Sequence, residues 1–240
     1  MVTSDTVVRK RRPYVIVYVT SSVDGKIASR TGDSRLSCPH DLRRLHEVRA
    51  SCDAVIVGAN TVIRDDPSLT VRYVKGTNPI RVVIDGMLRS PLNAKLFTDG
   101  QAKTIVYTST LSPRGKADEL RRRGVDVYVL EPMNSRGTLS LTKVLEHLYE
   151  VVGVRKVLVE GGGTLLWCFF KEGLVDEVRI TISPYVIGGE EAVSVVEGEG
   201  FSSREEWVKL RLKNVKLCEC SNEVHIIYEV VGERVVRESP

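Results

Sequence analysis

The stretch VLVEGGGT (residues 157–164) places three consecutive glycines between an apolar run and a second apolar run, Leu165 to Phe170. The first run is typical of a buried strand and the second of a helix, so the glycines form a strand-to-helix turn. Glycine leaves backbone N–H groups uncovered, and a helix start adds unpaired donors and the positive end of a dipole. The turn therefore predicts a binding site for an anionic group, with Glu160 presented beside it. For a triple glycine taken alone, a flexible connection is the alternative.

The rest of the chain alternates short apolar runs with helical patterns, which is typical of an α/β fold with a mainly parallel central sheet flanked by helices. The predicted strands are Tyr14 to Thr20, Ala54 to Val57, Ile80 to Asp85, Thr104 to Thr108, Val125 to Leu130 and Lys156 to Glu160. The predicted helices are Pro39 to Ala50 with Leu42, Leu45 and Val48 on one face, Lys116 to Arg123, Leu141 to Val151, and Thr164 to Lys171. Ligands of such sheets bind at the carboxyl ends of the strands.

The pattern changes after Asp176, where apolar and polar residues alternate from Val178 to Ile182. This alternation indicates a strand with one buried face. Together with the segments at residues 207–217 and 223–231, it predicts antiparallel C-terminal strands that complete the sheet.

Composition favours a single domain. The 240 residues are 42% hydrophobic, enough for a sizeable core. We expect this domain to cover residues 13–231, between a basic N-terminal tail (1–12) and a C-terminal tail (232–240). The net charge of +4 comes from basic and acidic residues mixed along the chain, so we expect no nucleic-acid partner. No apolar run approaches the roughly 18 residues of a membrane span, so we expect no membrane association.

The cysteines and histidines predict no metal site. Five cysteines, an odd number without a secretory signal, indicate free thiols and a cytoplasmic protein. Cys218 and Cys220 lack the two-residue spacer and the second pair of ligands that a structural zinc site usually has. The four histidines share no ligand spacing, and we expect His40 near a helix start and His46 on a helix surface.

Two polar loops follow the first strand. Ser22 to Ala28 combines hydroxyls, a carboxylate and a lysine around Asp24-Gly25, a pair that by itself is an ordinary hairpin turn. Gly32 to Ser37 adds a second polar cluster. Together the two loops could form one wall of a small-molecule site.

A third polar segment follows the strand that ends at Val57. Gly58 opens a short helical turn that places Thr61 and Asp65 four residues apart on one side, where both could contact one ligand. Arg72 supplies a planar fork suited to a phosphate. The alternative makes Asp65-Asp66-Pro67 a helix stop and Arg72 a surface charge.

Several motifs occur in a specific order between about Pro13 and Glu229. They are Val23-Asp24-Gly25-Lys26, Asp33-Ser34-Arg35, Val57-Gly58 with Thr61, Asp65-Asp66-Pro67-x-Leu69-Thr70-x-Arg72, Glu160-Gly161-Gly162-Gly163-Thr164, and Pro184 with Gly188-Gly189. This succession resembles the pyrimidine reductases of riboflavin biosynthesis, and most of all the stand-alone archaeal and fungal enzymes. The resemblance implies a dihydrofolate-reductase-like fold, NADPH (or NADH) as cofactor, a phosphoribosyl pyrimidine as small-molecule substrate, and a homodimer.

The resemblance also implies which residues bind the cofactor. Gly161, Gly162, Gly163 and Thr164 would hold the pyrophosphate, in agreement with the anion site inferred from the glycine turn. The other implied cofactor contacts are Thr61 and Asp65 near the nicotinamide, Asp85, Gly86, Met87 and Leu88 along the adenosine, and Leu139 on the adenine. The 2′-phosphate partner is left open between Arg89, Arg114 and other basic residues.

The substrate contacts implied in the same way are Ser22, Arg35, Leu69, Arg72 and Glu160. Arg35 and Arg72 suit the ribose 5′-phosphate, and Glu160 can accept hydrogen bonds from the amino groups of the pyrimidine. Two positions depart from the family: Tyr18 stands where many bacterial relatives have lysine, and Arg72 where some archaeal relatives have histidine.

The implied reaction is the reduction of 2,5-diamino-6-ribosylamino-4(3H)-pyrimidinone 5′-phosphate by hydride transfer to C1′ of the ribose, with Asp65 as the candidate catalytic residue for the accompanying proton. The alternatives are reduction of the deaminated pyrimidine or of a pteridine, and a non-catalytic NADPH-binding sensor. The zinc deaminase motifs of bifunctional relatives, His-x-Glu and Pro-Cys-x-x-Cys, do not occur in the sequence.

Overall fold

The computed structural model describes residues 11–232, so most of both predicted tails lies outside the described residues. The strands are β1 (Tyr14–Ser21), β2 (Ala54–Gly58), β3 (Ile80–Ile84), β4 (Thr104–Ser109), β5 (Asp126–Leu130), β6 (Lys156–Val159), β7 (Glu177–Ile182), β8 (Lys209–Leu217) and β9 (Val224–Val231). The helices are α1 (Pro39–Ala50), α2 (Ala59–Asp65), α3 (Lys95–Thr98), α4 (Arg114–Arg122), α5 (Leu141–His147) and α6 (Gly163–Lys171). A π-helical turn, Leu148–Val152, continues α5, and a 3₁₀ turn covers Arg204–Glu206. Each of these helices falls short of the length and apolarity that crossing a bilayer would require.

All the strands of this region join one sheet in the order β5-β4-β3-β2-β6-β1-β7-β9-β8. Neighbours from β5 to β7 run parallel, whereas β9 is antiparallel to both β7 and β8. The predicted α/β fold with a mainly parallel sheet and antiparallel C-terminal strands is therefore confirmed.

Strand β7 has neighbours of both directions. It pairs antiparallel with β9, as predicted, but it pairs in parallel with β1, with Val17 opposite Val178. Helix α6 carries the chain from β6 past β1 to β7, and such a crossover returns the next strand in the same direction. The apolar alternation of β7 indicates a strand but contains no information about its direction.

The core consists of two apolar layers on opposite faces of the sheet, because successive strand residues point to opposite faces. Val15 and Val17 pack in the layer beneath α5 and α6, while Ile16 and Tyr18 pack in the other layer with residues of α1, α2 and α4. Both faces of the parallel strands are thus covered, as their near-continuous apolar sequences predict.

Helix α1 departs from its predicted apolar face. Val48 is buried, but Leu42 and Leu45 are only half-buried and line a cleft, while the charged Asp41 and Arg49 are buried. The first turn of α1 begins at Pro39, which agrees with the expected position of His40.

His46, by contrast, is not on the helix surface as predicted. It is 1% exposed, its Nδ1 accepts the backbone N–H of Arg72 at 2.9 Å, and its ring packs edge-on against Tyr73. Burial, together with the nearby charges of Arg49 and Arg72, lowers the pKa of His46 to about 4. The surface prediction failed because residues 70–73 cover the helix, and nothing local to the helix indicates this.

Candidate active site

A cleft of about 490 Å³ lies where the carboxyl ends of β1, β2, β3 and β6 meet at one edge of the sheet. Its position agrees with the binding-site rule for parallel sheets. Most of the sequence-predicted site residues line it, namely Thr61, Asp65, Asp85, Gly86, Met87, Leu139, Glu160, Gly162, Gly163 and Thr164. The fold therefore brings four separate segments of the sequence to one cavity.

The glycine turn forms the floor of this cleft at the start of α6. Gly161 has a φ of 106°, in the region that favours glycine, and Gly162 is the N-cap residue. A Cβ on Gly163 would lie 2.7 Å from both the Cγ of Glu197 and the carbonyl oxygen of Ser194, so this position has no room for a side chain. Since the first-turn N–H groups of a helix lack intrahelical acceptors, the turn offers donors to an anion.

Glu160, next to the glycines, is held by an arginine from α1. Arg49 donates to both carboxylate oxygens, from Nε at 2.8 Å and from Nη2 at 2.7 Å, and its Nη1 donates to the carbonyl of Thr70 at 2.6 Å. The two side chains are only 6% and 11% exposed. The ion pair therefore fixes a carboxylate at the cleft wall, where its remaining lone pairs can accept hydrogen bonds.

Thr61 and Asp65 both line the cleft from α2, one helical turn apart, as their spacing predicts. Partial desolvation raises the pKa of the Asp65 carboxyl, and the charge of the adjacent Arg64 opposes that shift. The carboxyl still reaches solvent through the cleft. Asp65 is thus a carboxyl group at the cleft wall whose pKa is shifted upward.

The far wall of the cleft is built by two close backbone segments. A Cβ on Gly86 would lie 1.7 Å from the carbonyl oxygen of Gly137, so only glycine permits this contact. Asp85 is 2% exposed and accepts the backbone N–H groups of Arg89 and Ser90 at 2.9 and 2.7 Å. Asp85 therefore organises the turn that carries Gly86 and Met87 along the cleft.

Four other predicted residues are not part of the cleft wall. Ser22 is 1% exposed, and its hydroxyl donates to Asp24 Oδ1 at 2.6 Å, so it stabilises its own loop. Leu69 and Leu88 are buried in the core layer on the α1 side of the sheet. Gly161 is buried and lies behind Gly162 in the turn.

The two arginines predicted to bind phosphate also lie outside the wall. Arg35 is 89% exposed and forms a two-point ion pair with Asp33, at 2.9 and 2.6 Å. Arg72 is exposed, and its Nη1 donates to Thr70 Oγ1 at 3.4 Å. This structure does not bring either guanidinium to the cleft.

Three other arginines do line the cleft: Arg64, Arg89 and Arg136. Arg89 was among the candidates for the 2′-phosphate, and its Nη2 donates to Asn60 Oδ1 at 2.8 Å. Arg114, the other named candidate, begins α4 and is not among the lining residues. The sequence analysis missed Arg64 and Arg136, although each stands next to a predicted site segment.

A buried polar network lies behind the cleft. Asp41 accepts hydrogen bonds from Tyr18, Thr20 and Thr181 at 2.6, 2.7 and 2.6 Å. Burial acts to raise the pKa of Asp41, but these hydrogen bonds outweigh it and keep the carboxylate ionised. Burial and the Asp41 charge raise the pKa of Tyr18, which lines the cleft but directs its proton to Asp41. The Tyr18 hydroxyl is therefore engaged in the buried network and does not donate into the cleft.

Comparison with known proteins agrees with this architecture. A family model described as the RibD C-terminal domain matches residues 13–226. A Methanothermobacter thermautotrophicus protein named 2,5-diamino-6-ribosylamino-4(3H)-pyrimidinone 5′-phosphate reductase is 42% identical over 207 residues, which cover 84% of this chain and 92% of the relative. An Archaeoglobus fulgidus protein of the same name is 40% identical over 202 residues, covering 79% and 89% of the two chains.

Solved structures show the same fold. Acinetobacter baumannii RibD (form 2) matches with a TM-score of 0.77 at 27% identity, over 92% of this chain and 58% of the RibD chain. This chain thus spans little more than half of that protein's length. The Saccharomyces riboflavin biosynthesis reductase Rib7 matches with a TM-score of 0.70 at 20% identity, over 92% and 91% of the two chains. The chain therefore belongs to the RibD C-terminal domain family and is an oxidoreductase of riboflavin biosynthesis with a dihydrofolate-reductase-like fold.

Proposed function

We propose that the protein reduces 2,5-diamino-6-ribosylamino-4(3H)-pyrimidinone 5′-phosphate to its ribitylamino product with NADPH. The observation that carries the proposal is that one cleft joins the glycine-rich start of α6, whose first N–H groups lack intrahelical acceptors, to the clamped carboxylate of Glu160. The archaeal relatives that bear this reductase name, at 42% and 40% identity, support the choice of substrate. The alignments cover most of this chain and most of each relative, which supports an activity that this domain performs by itself.

The residues of the cleft fit a nicotinamide dinucleotide. Gly163 and Gly86 both line the cleft, and glycine at each position lets the wall pack closely against the backbone of Ser194 and Gly137. We propose that Gly161, Gly162, Gly163 and Thr164 hold the pyrophosphate, while Met87 and Leu139 contact the adenosine. Leu88 would support that wall from the core.

Arg89 and Arg136 are the cleft arginines beside the proposed adenosine wall, and a 2′-phosphate there would meet at least one positive charge. We therefore propose that the enzyme prefers NADPH, which carries this 2′-phosphate, over NADH. In the Arg136→Gln variant, the ratio of kcat/KM for NADPH to that for NADH should fall by about tenfold or more, the effect of one lost charge-assisted contact. An unchanged ratio in both this variant and Arg89→Gln would contradict this placement.

When bound, the reduced nicotinamide would supply a hydride to C1′, where the bond to the ribose ring oxygen breaks and that oxygen takes up a proton. Thr61 and Asp65 orient the nicotinamide end, and Glu160 accepts hydrogen bonds from the pyrimidine amino groups. Ser22, Arg35, Leu69 and Arg72 remain the predicted substrate contacts. Arg35 would have to exchange its ion pair with Asp33 for the ribose phosphate.

Asp65 is proposed to deliver the proton that accompanies the hydride, because it lines the cleft beside Thr61 and partial desolvation raises its pKa. The Asp65→Asn variant should lose about 10²- to 10⁴-fold in kcat, as for other general acids. The matched control is Asp66→Asn. Asp66 is the C-cap residue of α2, and its Oδ1 accepts the backbone N–H of Lys95. Equal kcat values for the two variants would reject this role.

The direct test is NADPH oxidation by the purified protein. We expect turnover with the diamino substrate, more slowly with its deaminated form, and none with dihydropteridines. Tight cofactor binding without oxidation of any substrate would instead establish a sensor, and turnover of pteridines alone would establish the second enzyme alternative.

The position of the pyrophosphate has its own test. A Cβ on Gly162 would lie 3.6 Å from Thr61 Oγ1, so the methyl groups of Gly162→Val would fill the space between the glycine turn and α2. The KM for NADPH should rise strongly. Gly115→Val, where a Cβ meets nothing within 4 Å, is the control. A wild-type KM in Gly162→Val would refute the placement.

We also propose a homodimer and a cytoplasmic location. All residues of β8 are exposed in the single chain, among them Leu210, Leu212, Val215 and Leu217. An exposed apolar edge strand of this kind is typical of an interaction surface. Light scattering should give twice the chain mass for wild type, and Leu212→Lys should shift it toward the monomer. A monomeric wild-type protein would contradict the dimer.

A further inference from the structure

A cluster of sulfur and oxygen ligands lies outside the cleft, where the start of α1 meets the turn between β8 and β9. One potential ligand atom each from Cys38, Cys218, Cys220 and Glu223 lies within 4.8 Å of all the others. We propose that these four residues form a tetrahedral binding site for Zn²⁺. No part of the reductase function requires this site.

The distances suit a tetrahedral ion. At the usual Zn–S distance of about 2.3 Å, ligand sulfurs lie about 3.8 Å apart. The Sγ atoms of Cys38 and Cys218 are 3.5 Å apart, so only small side-chain adjustments are needed. Zinc accepts both thiolates and carboxylates as ligands, and three thiolates with one carboxylate make a four-coordinate set.

Glu223 supplies an independent observation. It is 2% exposed, and its Oε1 accepts the backbone N–H of Cys38 at 2.8 Å. Its Oε2 is buried and has no hydrogen-bond partner within residues 11–232. A buried carboxylate oxygen without a partner is strongly destabilising, whereas a bound cation would satisfy it.

Hydrogen-bond donors also lie beside the sulfur atoms. The backbone N–H of Asp41 donates to Cys38 Sγ at 3.4 Å, and Arg44 Nη2 donates to Cys218 Sγ at 3.1 Å. Backbone N–H groups of the β8–β9 turn donate to Cys220 Sγ. Donors to ligand atoms orient them and stabilise their charge. Arg44 would also offset part of the net negative charge that four anionic ligands leave around a divalent ion.

The turn between β8 and β9, which carries three of the four proposed ligands, is held by backbone hydrogen bonds. The N–H of Cys218 donates to the carbonyl of Glu223, and the N–H of Ser221 donates to the carbonyl of Cys218, both at 2.8 Å. Ser221 has a φ of 60°, which reverses the chain between the cysteines and Glu223. A bound ion would connect this hairpin to the N-cap of α1 and so fix the preceding residues Ser34 to Ser37, part of which line the cleft.

The spacing of Cys218 and Cys220 did not indicate a metal site because the third cysteine is 180 residues away in sequence. A disulfide between Cys38 and Cys218 is the competing use of the same sulfurs. Cation binding by the reduced protein distinguishes the two: a metal site predicts it, whereas a role in a disulfide alone does not.

The test is Co²⁺ titration of the reduced full-length protein, with cobalt as a spectroscopic probe for zinc. Wild type should bind one equivalent, with thiolate-to-cobalt charge-transfer absorption and the intense visible bands of tetrahedral coordination, and zinc should abolish both. Cys220→Ser should lose most of the charge-transfer absorption. Cys52→Ser, at the opposite end of α1, is the matched control and should behave as wild type.

Two further variants probe the surroundings. Glu223→Gln should weaken cobalt binding while retaining the charge-transfer bands of three thiolates. Arg44→Gln should weaken it about 10- to 100-fold, as loss of a partner of a ligand does elsewhere. The proposal is overturned if reduced wild type shows no charge-transfer absorption at one equivalent, or if Cys220→Ser and Cys52→Ser give the same spectrum.

Discussion

The buried ion pair between Arg49 and Glu160 permits a quantitative prediction for Arg49→Met. Methionine fills similar apolar volume but removes three hydrogen bonds and leaves the Glu160 carboxylate, 11% exposed, without its counter-charge. Removing one partner of a buried pair costs about 3–5 kcal/mol. Because Glu160 borders the cleft and can recover some hydration there, we expect the lower end, about 3 kcal/mol. For a chain of this length that corresponds to a fall in Tm of about 6–12 °C.

The assay is urea denaturation followed by circular dichroism at pH 7.5, with thermal unfolding as a second measure. Arg43→Met is the matched control: it is the same change on the same helix, but Arg43 is 65% exposed and pairs with Glu47 across one turn. That variant should stay within about 0.5 kcal/mol of wild type.

A double variant separates the charge from the packing. In Arg49→Met combined with Glu160→Gln, no buried charge is left without a partner, so the double variant should be more stable than Arg49→Met alone. A loss below about 1 kcal/mol in Arg49→Met, or one equal to that of Arg43→Met, would refute the reasoning.

Two further predictions concern stability. His46 and His225 both have folded pKa values lowered to about 4, chiefly by burial, against an ordinary value of 6.5. Unfolding therefore takes up protons below pH 6.5, so the free energy of unfolding should be flat above pH 7 and fall by on the order of 1 kcal/mol per histidine between pH 7 and 5. A free energy from urea titrations that is constant from pH 7 to 5 would exclude this. Separately, Gly86→Ala should lose at least about 2 kcal/mol, because its Cβ would lie 1.7 Å from the carbonyl of Gly137, whereas Gly115→Ala should be neutral or stabilising by up to about 1 kcal/mol. Thermal unfolding of the pair measures this, and equal Tm values would contradict the close contact.

Local sequence patterns predicted the elements well because helices and strands are set by periodicity and by end signals within a few residues. Pro39 to Ala50 is a helix with the predicted bounds, and the predicted strands from β1 to β6 occur within a residue or two. The glycine turn before α6 was predicted equally well, because its backbone conformation and its free N–H donors depend only on adjacent residues. Thr61 and Asp65 share the cleft because a single helical turn separates them.

What the pattern could not provide is which distant side chains meet. Arg49 and Glu160, for example, are 111 residues apart. The resemblance placed Arg35 and Arg72 at the substrate, but both lie outside the cleft. Arg64 and Arg136 line it instead. The local sequence around these arginines does not distinguish the ones that face the cavity from the ones that face solvent. Only the packing of α1, α2 and the loops decides which of them faces the cavity.

The sequence by itself therefore determined the α/β architecture and the strand-to-helix glycine turn at residues 160–164, because both follow from short-range periodicity and backbone freedom. The tertiary structure alone decided the direction of β7, the burial of His46, and the meeting of Cys38 with Cys218. These depend on crossover geometry and on contacts between residues far apart in the chain. Such contacts arise only when apolar layers close on both faces of the sheet and force particular loops together.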